Sequence, residues 1–325
     1  MEQSNSKLEE LLEEIKTENI ENVKSILNDS NNNNVILNIN EQNKNGDYPL
    51  LWAIYKDNIE IVKLLIDYAN KNNIVLKINE QNEKRNYPLL QATYNNNVEI
   101  VKLLIDYANK NNIILKIDEQ SNDGDYPLFL TTFKDNIEIV KKLIDYANER
   151  SFILKLNEEN YENYLLLNAI KKNNIEMVNL LIEFANENKI KLNINKTNKN
   201  GDTPLTIACK KRNKEVIKCL LKYPKIEINK KTNYGINSLM IACYFKEKDI
   251  VDWFIKRDDI DVKIQDNKNN LPLHIACYLN NIEIVRSLVN KENLSHILNC
   301  YSDTPLDIAE EFNNKEMINC SYGKN

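Results

Sequence analysis

The chain has 325 residues, 43 Lys and Arg against 48 Asp and Glu, a net charge of -5, two His and five Gly. It therefore lacks the overall basic surplus of a nucleic-acid binder and the glycine loops and histidines on which many catalytic sites are built. Its start, Met1 to Glu10, is polar and acidic, and no run approaches the roughly 18 apolar residues of a membrane helix, so export and insertion are both disfavoured and a cytoplasmic or nuclear location suits the chain.

From residue 46 onward one pattern recurs. Gly46-Asp47-Tyr48-Pro49-Leu50-Leu51-Trp52-Ala53 is followed by Asn58-Ile59-Glu60-Ile61-Val62-Lys63-Leu64-Leu65, and the Ala53 position returns at Ala92, Thr131, Ala169, Ala208, Ala242, Ala276 and Ala309. The spacings are 39, 39, 38, 39, 34, 34 and 33 residues, the periodicity of a tandem repeat. One period upstream of Ala53, Ile15, Asn19-Ile20-Glu21, Val23 and Ile26 keep the pattern in degenerate form, giving nine units. In each unit Pro49 or its equivalent opens a short helix, because its fixed φ suits the first turn and its missing N–H would be unpaired there anyway. The helix stops near Lys56, where Asp57, Asn96, Asp135, Asn173, Asn280 and Asn313 fill a position suited to a left-handed residue. A second helix carries an apolar face, Ile61, Val62, Leu64, Leu65 and Ile66, and turns rich in Asn and Gly join the units. The abundance of Asn itself reads as a coding bias without functional weight.

Thr203-Pro204-Leu205-Thr206-Ile207-Ala208, Leu271-Pro272-Leu273-His274-Ile275-Ala276 and Thr304-Pro305-Leu306-Asp307-Ile308-Ala309 resemble the Thr-Pro-Leu-His-x-Ala motif of ankyrin repeats. The resemblance covers essentially the whole chain. It implies an all-α ankyrin-repeat solenoid of stacked helix-turn-helix units with short hairpin fingers, forming a single domain over 1–325. Residues 1–45 form an N-terminal cap unit, 46–200 four long units of 38–39 residues, 201–301 three units of 33–34 residues, and 302–325 a C-terminal cap unit; the unit 201–234 is the first of standard length. The chain departs from the family pattern at Tyr48, Tyr87, Tyr126 and Tyr164, which replace Thr, and at Leu165 and Ser238, which replace Pro. The long units carry Tyr68, Tyr107, Tyr146 or Phe184 where the family usually breaks the second helix with Gly. That helix should run on and return through stretches such as Ile74-Val75-Leu76-Lys77-Ile78-Asn79, with a change of geometry near residues 200 to 235. Glu9, Glu10, Glu13 and Glu14 at one end, and Ser321 in place of a core Leu at the other, suit the polar outer faces of solenoid caps.

All six Cys lie beyond residue 208, and Cys209, Cys243 and Cys277 occupy one repeat position. Stacked helices lie about 8–10 Å apart, beyond the roughly 7 Å that a disulfide spans, so these three read as reduced, buried apolar fillers. Zinc at Cys209, Cys219 and Cys243 is disfavoured by the absence of a Cys-x-x-Cys pair and of a neighbouring His, and no metal or cofactor is expected. The resemblance implies that His274 bonds neighbouring backbone; His296 has no readable role.

In ankyrin repeats the recognition surface is commonly the concave face, made from the finger tips and the two residues after the repeat Ala pair. In this chain those positions are Tyr55-Lys56, Tyr94-Asn95, Phe133-Lys134, Lys171-Lys172, Lys210-Lys211, Tyr244-Phe245 and Tyr278, with Tyr161 and Tyr234 on finger tips. Aromatic rows early and late enclose a run of lysines, a pattern suited to an acidic protein segment held by aromatic anchors. Tyr can equally stack on its neighbour one unit along, and Lys runs are usually solvated. The sequence thus points to a non-catalytic protein-protein interaction module or adaptor, acting on another protein and neither on a small-molecule substrate nor at a membrane. One alternative is nucleic-acid or phospho-ligand binding through the central Lys cluster, which the acidic first half opposes; the other is a structural spacer.

Overall fold

In a computed structural model, which describes residues 2–32, 36–157, 164–223, 225–292 and 294–321, the backbone forms paired helices and, among the described residues, no strand. The helices sort into two compact units, Met1–Asn160 and Tyr161–Asn325. The first contains α1 (Glu2–Lys16) with α2 (Ile20–Asn32), α3 (Pro49–Tyr55) with α4 (Ile59–Lys71), α5 (Pro88–Asn95) with α6 (Val98–Lys110), and α7 (Pro127–Phe133) with α8 (Ile137–Glu149). The second contains α9 (Leu165–Lys171) with α10 (Ile175–Glu187), α11 (Pro204–Lys211) with α12 (Lys214–Leu221), α13 (Ser238–Tyr244) with α14 (Lys248–Ile255), α15 (Pro272–Tyr278) with α16 (Ile282–Lys291), and α17 (Pro305–Glu311) with α18 (Lys315–Ser321). Inside each unit first helices pack in sequence on first helices, and second helices such as α4 and α6, or α14 and α16, pack on each other.

From α3 to α15 the first helices are short and buried on most sides, which is why their sequences are largely apolar. Leu50, Leu51, Ala53 and Ile54 of α3 are fully covered, and the repeat alanines let neighbouring first helices approach closely. Where Thr131 replaces that alanine, its hydroxyl bonds back to the Pro127 and Leu128 carbonyls. Leu165 and Ser238 open α9 and α13 in the same register as the prolines, the latter under an Asn237 cap. The residue ending the first helix is left-handed at all six positions read from the sequence, and also at Glu18, Arg212 and Lys246. The exposed face of the N-terminal cap carries Glu9, Glu10 and Glu13, with Glu14 half-buried; the side chain of Ser321 lies outside the described residues.

Second helices run 13 residues from α2 through α10 and shorten to 8 in α12 and α14, the change expected between long and standard units. In α4 the buried residues Ile61, Val62, Leu65, Tyr68 and Ala69 form one stripe at helical spacing. The long units complete themselves with tyrosine. The hydroxyls of Tyr68, Tyr107 and Tyr146 accept the Leu37, Leu76 and Leu115 N–H groups of the preceding return stretch at 2.9, 2.9 and 3.0 Å. The hydroxyls of Tyr48, Tyr87 and Tyr164 donate to the carbonyls of Lys77, Glu119 and Lys196 at 2.6, 2.9 and 3.0 Å. A threonine could not reach these carbonyls, so the Tyr substitutions and the longer units belong together. Burial raises the Tyr48 and Tyr87 hydroxyls well above their ordinary range, so they remain protonated donors.

Asparagine turns out to do structural work that composition alone concealed. Asn58, Asn97, Asn136, Asn174, Asn213 and Asn281 cap the second helices, each accepting the N–H three residues on at 2.9–3.1 Å. Several of the same amides donate to the left-handed residue of the preceding repeat: Asn97 to Asp57, Asn136 to Asn96, Asn213 to Asn173. Asn40, Asn79, Asn195 and Asn229 bridge the return stretches of successive repeats, each accepting an N–H and donating to a carbonyl. An amide carries both donor and acceptor on one rigid plane, so a single residue type can satisfy all three tasks.

Cys209, Cys243 and Cys277 are buried and free of disulfides, whereas Cys300 is exposed. Burial pushes the Cys209 and Cys243 thiols far above their ordinary range, and the thiolate is the reactive form. Alkylation of the native protein by iodoacetamide, followed by peptide mass spectrometry, should therefore label Cys300 first and these three only after unfolding. Labelling of Cys209 as fast as Cys300 would contradict the buried register.

Candidate partner-binding face

Most of the described fingers are tight turns closed by one side chain. Asn43, Asn82, Asn198, Asp266 and Asn299 each accept the N–H groups two and four residues on, at 2.8–3.0 Å. Successive fingers then hydrogen-bond directly: the Glu83 N–H to the Asn45 carbonyl at 3.0 Å in the first unit, Asn233 to Asn200 at 3.0 Å and Cys300 to Lys268 at 2.9 Å in the second. Between this ladder and the first helices lie clefts lined by some of the residues singled out in the sequence, Tyr55, Lys56 and Tyr94 in the first unit and Lys210, Tyr234, Tyr244 and Phe245 in the second.

In the 1–160 unit, a cleft of about 580 Å³ is lined by Trp52, Tyr55, Lys56, Lys84 and Asp47. Its walls mix polar and apolar groups. The Tyr55 hydroxyl accepts from the Asn82 and Asn86 side-chain amides at 2.8 and 3.2 Å, and its ring meets Trp52 edge-on at 5.6 Å, so Tyr55 ties two repeats together. Asn95 is likewise committed: its amide donates to the Ile54 carbonyl and accepts from Gln91. The more available side chains are Tyr94, with the Lys134 ammonium 5.2 Å from its ring centre, and Phe133, stacked on Phe129 at 6.1 Å. Both rings are more than half exposed.

In the 161–325 unit the lysine cluster has acidic company. Lys210 Nζ lies 2.5 Å from the buried Asp202 carboxylate, Arg212 pairs with Glu247 at 2.6 Å, and Lys214 with Asp249 at 2.6 Å. The Asp249 hydrogen bond raises the Lys214 ammonium and lowers the Asp249 carboxyl, so both stay charged at neutral pH. Burial lowers Lys171, partly opposed by Asp202. Lys172 and Lys211 are exposed. The cluster is thus less basic in effect than its sequence.

The same unit holds the most exposed aromatics on this face: Tyr234 at 66 %, Tyr244 at 64 % and Tyr278 at 68 %. Tyr244 meets Phe245 edge-on at 5.3 Å. Sequence reasoning passed over the residues behind them, since Ile236, Met240, Ile241 and Ile275, which line a cleft of about 380 Å³ beside Tyr234 and Tyr244, look like ordinary core positions. It also passed over Trp52, whose indole nitrogen is buried without a hydrogen-bond partner. Tyr161 lies outside the described residues. His274 accepts the Leu271 N–H at 3.1 Å through Nδ1 and faces the Asp303 carbonyl at 3.2 Å through Nε2, the backbone role the resemblance implied. Burial lowers it, which keeps the ring neutral. Among the described residues no group of three or more His, Cys, Asp or Glu side chains is placed to hold a metal ion, and no helix is long and apolar enough to cross a membrane.

A sequence profile of ankyrin repeats matches residues 11–114, 73–151, 166–266 and 239–320. Among solved structures the chain is similar to the ankyrin repeat domain of Bcl-3, described as a unique member of the IkappaB protein family, with a TM-score of 0.58 and 20 % identity, covering 74 % of this chain and 100 % of that one. No curated protein matches the sequence. With profile matches over nearly its whole length and helix pairs joined by hydrogen-bonded fingers, the chain belongs to the ankyrin repeat family.

Proposed function

We propose that the chain is a non-catalytic protein-protein interaction module that binds a segment of another protein, acidic in character, on the face shared by fingers and first helices. The observation that carries this reading is the recurrence of exposed aromatic rings at one repeat position, Tyr94, Phe133, Tyr244 and Tyr278, with Tyr94 and Tyr244 lining finger clefts. Rings held on rigid helices supply large contact area at little entropic cost, and isolated exposed aromatics would not be drawn to one register by packing alone. Surface lysines beside them would steer carboxylates. A cytoplasmic or nuclear setting fits free cysteines. The Asp202, Glu247 and Asp249 partners count against the nucleic-acid alternative, because they offset the positive charge a polyanion would need.

Panning a displayed library of random peptides against the whole chain should enrich acidic sequences whose hydrogen-exchange footprint falls on fingers and first helices. Charge reversal should be made at Lys172 and Lys211, leaving Lys210 in place because it pairs with buried Asp202. That double variant, Lys172→Glu and Lys211→Glu, should weaken the selected peptides by roughly tenfold to a hundredfold with an unchanged circular dichroism spectrum. A footprint on the second helices, or unaltered affinity, would overturn the assignment.

A further inference from the structure

The 380 Å³ cleft in the 161–325 unit differs in kind from those of the 1–160 unit. Ile236, Met240, Ile241 and Ile275 form its floor and walls, and Tyr234, Tyr244 and Phe245 stand around it; Lys210 lies at its edge. Thr232 also lines it. That residue occupies the turn position at which Asn43, Asn82, Asn198, Asp266 and Asn299 close their fingers by accepting two backbone N–H groups. The Thr232 hydroxyl does not do so: it is buried with no hydrogen-bond partner in the protein, although the residue is only 7 % exposed. Its oxygen is shielded from solvent, so the surface the cleft presents is apolar.

We infer that this cleft is a socket for one bulky apolar side chain, Leu, Met or Phe, of an extended segment from another protein, with carboxylates on either side of that residue. The inference rests on the interaction-module reading above and specifies its partner. The volume holds a single large side chain with its backbone rather than a helix face. Met240 at the floor is an unbranched, adaptable thioether, suited to shaping itself around an incoming group. Lys210 is held by Asp202, but Lys211 next to it in sequence is exposed and residues 163–325 carry 25 basic against 20 acidic side chains, so the charge of the unit complements the flanking acids. An exposed apolar cleft ringed by aromatic and basic side chains is otherwise a liability for a soluble chain.

The probe is the blocked peptide acetyl-Asp-Glu-Phe-Asp-Glu-amide, compared with its counterpart in which lysines replace all four acids. Methyl resonances of Met240 and Ile241 in the full chain report occupancy, since a phenyl ring entering the socket shifts them. Saturable shifts are expected for the acidic peptide, at least tenfold tighter than for the basic one, and about tenfold weaker in Tyr244→Ala. The proposal is overturned if the two methyl signals stay unmoved, or if acidic and basic peptides bind alike. Unmoved methyls together with a library-selected peptide footprinting elsewhere on the finger face would remove the socket and leave the module reading standing; a library that yields no finger-face footprint would remove both.

Discussion

Gly201→Ala is expected to destabilise the 161–325 unit by about 2–5 kcal/mol, combining the cost of a side chain in left-handed backbone with that of overpacking. Gly201 has φ +74, and a Cβ built there would sit 2.6 Å from the Asn233 backbone nitrogen, the nitrogen that donates to the Asn200 carbonyl in the finger ladder. The clash is with backbone, so no rotamer change relieves it; the fingers must separate. Arg85 stands at the equivalent position with φ 60, which supplies a control of opposite sign. Arg85→Gly should stabilise its unit by about 1 kcal/mol or less through relief of left-handed strain. Urea unfolding followed by circular dichroism measures both. An unchanged midpoint for Gly201→Ala would show that the finger ladder is looser than drawn.

Tyr107→Ala should cost the 1–160 unit about 3–5 kcal/mol, the range for emptying a buried aromatic site, because the ring is fully packed within the α6 stripe. The more informative variant is Tyr107→Phe. It keeps the ring and removes only the hydroxyl that accepts the Leu76 N–H at 2.9 Å and donates to the Ile74 carbonyl at 3.3 Å. Leaving that buried N–H without a partner should cost about 1–3 kcal/mol. If Tyr107→Phe proves neutral in urea unfolding, water replaces the hydroxyl and the tyrosine column serves by packing alone. A measurable loss makes the hydroxyls the means by which long repeats fasten their return stretches.

The helix starts at Pro49, Pro88 and Pro204, the left-handed stops at Asp57 and Asn96, and the extended second helices ending in Tyr-Ala-Asn were all legible in the chain, since each depends on a few consecutive residues. Arg212 and Lys246 were not recognised as left-handed, because neither side chain favours that region and only the repeat register holds them there. The asparagines were misjudged for a related reason. One amide looks like any other in a list, and its partner lies 30 to 41 residues away in the neighbouring repeat.

The candidate face divides along the same line. Sequence determined which positions are equivalent from unit to unit, because a repeat of fixed period puts equivalent residues in equivalent places. Tertiary structure alone decided what each of them does there: Tyr55 is held by Asn82 and Asn86, Asn95 is spent on the Ile54 carbonyl, Lys210 is paired with Asp202, and Tyr244 stands exposed beside an apolar cleft. The physical reason is that backbone conformation is set by neighbours along the chain, whereas the availability of a side chain is set by groups one repeat away, brought within hydrogen-bonding reach only when the units stack.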